Sequence, residues 1–111
     1  MSAIERRLQE LREIATKYAK AEAERTYLED FKKSKLAMLM AAAECSGITA
    51  VNAQEREARA NAEYVELLQG LKVAVEEAER LYWELQIARM GAGLWQTEQA
   101  NMRSERRGYG T

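Results

Sequence analysis

The 111 residues contain no histidine and no proline, a single cysteine, six glycines and eight aromatic side chains. Without histidine, neither a Ser-His-Asp nor a Cys-His arrangement can exist, and a zinc site with imidazole ligands is excluded. One thiol, Cys45, excludes intrachain disulfides and cysteine-rich metal clusters. It sits in the apolar run Ala41-Ala42-Ala43-Glu44-Cys45, which predicts a buried structural cysteine rather than a reactive one. Few glycines and no proline leave little material for the turns of a β-sandwich or barrel. P-loop, GxGxxG and EF-hand patterns are all missing. No apolar stretch exceeds Leu36–Ala43, far too short for a membrane span, and the N-terminus has no apolar signal core. The expectation is a non-enzymatic protein with no cofactor and no metal, cytoplasmic wherever it is made and not in a membrane.

Charged residues make up 32% of the chain and apolar residues 47%, which suits long helices or a coiled coil rather than disorder. At this length one small domain is possible, and much of its apolar surface needs a partner element or a partner chain. Ile4, Leu8, Leu11, Ala15 and Tyr18 recur in alternating steps of four and three, a coiled-coil seam, continued less strictly by Ala21, Leu28, Phe31, Leu36 and Leu39. The spacing predicts a helix over 3–45, stopped by Ser46-Gly47 with Gly47 just past the end. Thr49 is the expected N-cap of a short helix over 50–60, and Asn61 that of a last helix over 62–107 with Glu63 in its first turn. That last helix would be about 66 Å long. Its seam is unbroken: Tyr64, Leu67, Leu71, Ala74, Ala78, Leu81, Leu85, Ala88, Ala92, Trp95, Gln99 and Met102. Residues 108–111 are expected to be a disordered tail.

The fold class is therefore all-α, a single domain over 1–107 built as a long antiparallel helical hairpin with a short connecting helix. Matched arms place facing positions at a sum of about 107, which sets Ala15, Ala19, Ala21 and Ala23 against the stretch holding Tyr82, Trp83 and Trp95, small against large.

A second stripe lies on the last helix. Trp83, Ile87, Met90 and Leu94 follow steps of four, three and four on the face opposite Leu81, Leu85, Ala88, Ala92 and Trp95. One neighbouring helix can cover only one of these faces, so the four form the candidate association stripe. Homo-oligomerisation as a dimer or higher, into a helical bundle, is the first expectation. A different protein on the stripe is the second, and a break at Gly91 that folds the stripe back is the third. Gly91 and Gly93 suit close approach of another backbone, or a bend.

Charge is uneven. Residues 63–102 carry three basic and seven acidic side chains, whereas 103–111 hold Arg103, Arg106 and Arg107 against Glu105. Arginines at a helix C-terminus complement its dipole. They also suit weak, salt-sensitive phosphate contact, with Tyr109 free to stack on a base.

The segments QEREA (54–58), YVELLQGLK (64–72) and WQTEQANMRSERR (95–107), with Tyr82-Trp83 between them, resemble small, functionally uncharacterised, coiled-coil-like helical proteins of tailed phages and prophages. The resemblance covers about residues 20–107, and the genes of that group often lie near recombination and replication genes. It implies a phage-type interaction protein, an oligomeric accessory factor in DNA recombination or replication, and brings no catalytic or ligand residue with it. The alternative is an inhibitor that binds a host defence or nuclease protein.

Overall fold

The computed structural model describes residues 1–109, with three helices and no strand among them: α1 (Ala3–Cys45), α2 (Val51–Ala60) and α3 (Ala62–Tyr109). The all-α hairpin read from the sequence is the observed fold. No helix among the described residues is long and apolar enough to cross a membrane. Gly108 and Tyr109, expected in a disordered tail, continue α3. The rest of that predicted tail, Gly110 and Thr111, lies outside the described residues.

Local chemistry accounts for each helix end. Ser2 and Glu5 form a reciprocal capping box at the start of α1: the Ser2 hydroxyl accepts from the Glu5 N–H at 3.1 Å, and the Ser2 N–H donates to a Glu5 carboxylate oxygen at 3.3 Å. At the other end Gly47 adopts φ +101°, where a side chain would be strained. Its N–H donates to the Glu44 carbonyl and the Ile48 N–H to the Ala43 carbonyl, both at 3.0 Å. This is the Schellman pair that satisfies two of the last carbonyls of a helix. The predicted Thr49 cap is not used. α2 begins one residue later, its N-cap is Ala50, and no side chain caps it. The buried Gln54 holds the connection instead, donating Nε2 to the carbonyls of Ile48 at 2.9 Å and Thr49 at 3.4 Å. Asn61 caps α3 as expected, accepting from the Glu63 N–H at 2.8 Å.

The hairpin divides into two compact units, Ala19–Glu79 and a second made of Met1–Tyr18 with the chain from Arg80 onward. Within each, α1 and α3 run antiparallel. In the first unit Arg25 pairs with Glu79 and Lys35 with Glu63. In the second, the Tyr18 ring packs on Tyr82 and Arg7 on Trp95. These pairs put the sum of facing positions at about 100, not 107. The predicted small-against-large match of alanines with Tyr82, Trp83 and Trp95 is therefore replaced: Tyr82 meets a tyrosine and Trp95 an arginine.

The α3 seam turns inward as read, from the buried Tyr64, Ala78, Leu81 and Leu85 to half-buried Trp95 and Gln99. Only Met102 departs from it and is exposed. On α1 the seam is met in part. Leu11, Tyr18, Ala21, Leu28, Phe31, Leu36 and Leu39 are half-buried as read, whereas Ile4, Leu8 and Ala15 are exposed and Arg7, Ile14 and Arg25 fill the row. The reason is physical. Arginine and lysine can lay their hydrocarbon stems along a seam while the charged heads reach a partner, so the facing row of α1 includes residues that an apolar pattern passes over. Arg25 lies 2.6 Å from Glu22, 3.8 Å from Glu29 and 3.5 Å from Glu79. Its hydrogen bond to Glu22, aided by the charges of all three carboxylates, raises its pKa against the opposing effect of desolvation.

The buried apolar residues are few: Ala43, Ala58, Tyr64, Ala78, Leu81 and Leu85. Three of the six are alanines, which lets backbones approach closely but removes little apolar surface from water. Cys45 is not among them. It is exposed, since α1 ends at this residue and the buried position of that turn is Ala43.

Lys35 donates to Glu63 at 2.7 Å. This hydrogen bond, with the lysine's charge, holds the Glu63 carboxyl below its ordinary value near 4.5. A carboxylate with a depressed folded-state pKa stabilises the fold above the unfolded value and loses that contribution as pH falls through the folded one. Glu63→Gln should therefore melt at a lower temperature than the parent at pH 7. The gap should close on acidification below about 4.5, as followed by circular dichroism. A gap that persists unchanged at pH 2.5 to 3 contradicts the pairing.

Candidate functional site

In the unit that contains Arg80 onward, α3 is helical without interruption through Gly91 and Gly93. The stripe therefore does not fold back on itself. Leu81 and Leu85 are buried at 3% and 6% exposure, and Ala88, Ala92 and Trp95 are half-buried on the same side. The opposite side carries Trp83 at 59% exposure, Ile87 and Met90 at 62% each and Leu94 at 72%. At 100° per residue these four fall on the outer face, turned fully away from α1.

Trp83 is held in place. Its ring meets Tyr82 edge-on at 5.3 Å between centroids, and Tyr82 in turn tilts against Tyr18 at 5.9 Å. A chain of three aromatic rings thus runs from the interhelical contact to the solvent-facing stripe. Such contacts contribute about 0.5–1.5 kcal/mol each beyond area burial. The Tyr82-Trp83 adjacency was visible in the sequence, but Tyr18 could join it only in the observed register. Near one end of the stripe Arg80 lies 3.2 Å from Glu84.

Gly91 and Gly93 flank the Met90–Leu94 end on opposite shoulders of the helix. A Cβ built at either would meet nothing within 4 Å, so packing within the chain does not require glycine at these positions. Thr97 donates its hydroxyl to the Gly93 carbonyl at 3.1 Å.

The basic end is the second feature. Arg103, Arg106 and Arg107 are all exposed, with Arg106 and Arg107 in the last turn of α3, where cations offset the unsatisfied carbonyls. Tyr109 is helical, but its side chain lies outside the described residues. Arg7 was not among the predicted contacts. Its guanidinium carbon sits 5.3 Å from the centroid of the Trp95 ring, a cation–π distance. The unit carries nine basic and six acidic side chains, a net charge of +3, against eight and twelve, a net of −4, in Ala19–Glu79. No group of three or more His, Cys, Asp or Glu side chains among the described residues is placed to hold a metal ion.

Because open space surrounds both glycines, Gly91→Ala with Gly93→Ala should strengthen the helix by up to about 2 kcal/mol in total, from roughly 1 kcal/mol per site. Thermal melts of the dilute protein test this. A lower melting temperature would mean that another backbone already occupies the space.

No protein-family model matches the chain, and no curated protein or solved structure matches it either.

Proposed function

We propose that the chain is a non-enzymatic interaction protein that self-associates through the outer face of α3, serving as an oligomeric accessory factor in phage DNA recombination or replication. The observation that carries the association is the exposure of Trp83, Ile87, Met90 and Leu94 together on one continuous helix face. Fifteen large apolar side chains of the described residues are exposed, while only six apolar residues are buried. Of the exposed ones, these four make the stripe in which a tryptophan in edge-on contact with Tyr82 begins a helical repeat. The phage setting and the recombination role come from the resemblance of the segments over 54–58, 64–72 and 95–107. An accessory protein that holds components together without chemistry is consistent with a chain that has no histidine.

A second copy is the occupant that suits the stripe. The spacing of four, three and four reads the same in both directions. An antiparallel two-fold arrangement therefore sets Trp83 opposite Leu94 of the second copy, and Ile87 opposite its Met90. The glycine shoulders let the two backbones come close at both ends of the contact.

Magnitudes set the expected strength. Eight stripe side chains at about 1.5–3 kcal/mol each, reduced to the six-tenths still exposed, give roughly 7–14 kcal/mol. Association costs roughly 4–15 kcal/mol in lost freedom. The difference between these ranges is about 10 kcal/mol at most, and it reaches the roughly 8 kcal/mol of a micromolar dimer only near that favourable end, so self-association is weak. Rim charge offers no strong opposition, since Arg80 and Arg89 alternate with Glu84 and Glu98 along this part of α3.

Light scattering on a size-exclusion column, at roughly 50 µM protein, tests the reading. The parent should elute with at least twice the chain mass of 12.7 kDa. Trp83→Glu combined with Met90→Glu should bring it to a single chain with its helical circular dichroism intact. A parent that is monomeric at this concentration, or a double variant that keeps its oligomeric mass, removes the proposal.

A further inference from the structure

The association face leaves one cleft of the same unit unused. Trp95 belongs to the seam of α3 and is half-buried. Two cavities lie against its indole. The smaller, about 80 Å³, includes Arg7, Leu8, Leu11 and Ala92 in its wall. The larger, about 330 Å³, is lined by Ile4, Trp95, Gln96, Gln99 and Arg103. Arg7 borders only the first of the two. The indole thus carries a guanidinium packed on its ring and also lines an open cleft that offers a second guanidinium and two carboxamides. Neither cavity has a carboxylate in its lining.

We propose that this cleft binds one base and the adjoining phosphate of a single-stranded nucleic acid. Each lining group has a part in that chemistry. An indole accepts any base by stacking, and Arg7, packed on the same ring, adds its charge to it. The amides of Gln96 and Gln99 each present a donor and an acceptor, which is what a base edge requires. Arg103 supplies a charge-assisted contact to phosphate. The surroundings favour an anion as well: Arg6, Arg7, Arg12, Arg103, Arg106 and Arg107 belong to the two helix ends of this unit, against Glu5, Glu10, Glu98 and Glu105. A single strand is specified because only an unstacked base can leave its neighbours and enter a cleft of this size. A duplex could touch the outer arginines alone.

The inference rests on the reading of the basic end as a phosphate contact, and it is independent of self-association. It adds Trp95, Gln96 and Gln99 as the part that engages a base. Fluorescein-labelled oligothymidylate, titrated in low salt and followed by anisotropy, reports binding. Trp83→Phe leaves Trp95 as the sole indole, so its emission reports occupancy of the cleft.

Binding should weaken steeply with salt and quench Trp95 emission. Arg103→Ala should raise Kd several-fold and lower the salt slope by about one. Trp95→Leu should raise Kd roughly tenfold, the scale of one lost stacking contact. Should that variant lose helicity, the exposed Arg103 variant still decides. Binding with unchanged Trp95 emission would show that the strand rests on the outer arginines; the cleft proposal then fails while the basic-end contact stands. Equal quenching by duplex and single strand overturns base insertion. Absence of binding in low salt removes both.

Discussion

A helix packed against one other helix can bury one stripe of its surface and no more. That constraint governs this molecule. In α3 the buried stripe is occupied by Tyr64, Ala78, Leu81 and Leu85 and by the half-buried positions between and beyond them. Trp83, Ile87, Met90 and Leu94 are on the face that α1 cannot reach. Small buried residues on the seam and large exposed ones outside it are two results of the same geometry. The seam buries Tyr64, Leu81 and Leu85 with alanines among them, while four further bulky apolar side chains face outward.

Electrostatics supplements the thin core without replacing it. Arg7, Arg25 and Lys35 occupy seam positions of α1, and each finds a partner on α3: the Trp95 ring, Glu79 and Glu63. Placing a charged head at the edge of a seam costs little when it stays partly in water, and the stem still covers apolar surface. Exposed pairs of this kind contribute little stability each. In the unit that holds Arg7 and Trp95, Tyr18 also packs on Tyr82, whose ring meets Trp83 at the head of the outer stripe.

Much of this was legible in the amino-acid sequence. The α3 seam repeats apolar residues at steps that only a helix can place on one side, and Asn61 and Gly47 act at helix ends through local chemistry that needs no distant contact. The outer stripe was legible for the same reason. The α1 seam was legible from Leu11 onward only in part, because its contact row also includes two arginines and a lysine whose heads reach partners that are distant in sequence. Register was misplaced for a separate reason: matching the two arms by length alone sets facing positions at a sum of about 107, several residues away from the pairing that Lys35–Glu63, Tyr18–Tyr82 and Arg7–Trp95 make. Cys45 looked buried from the apolar run around it, yet at the final turn of a helix only one side of the run faces inward. The Ser2–Glu5 capping box had a clear sequence signal, Ser-x-x-Glu, that was overlooked. Trp95 beside Arg7 had none, since the two lie on different helices.

The central claim is that the outer face of α3 is covered by a second copy of the chain and by nothing within its own. Trp83 emission, recorded in a Trp95→Phe background over a dilution series, tests this most directly because the reporter sits in the proposed contact. The account predicts blue-shifted emission at high concentration that moves to the red on dilution, in step with the fall in mass. Emission that stays at the solvent-exposed wavelength across the whole series would contradict it.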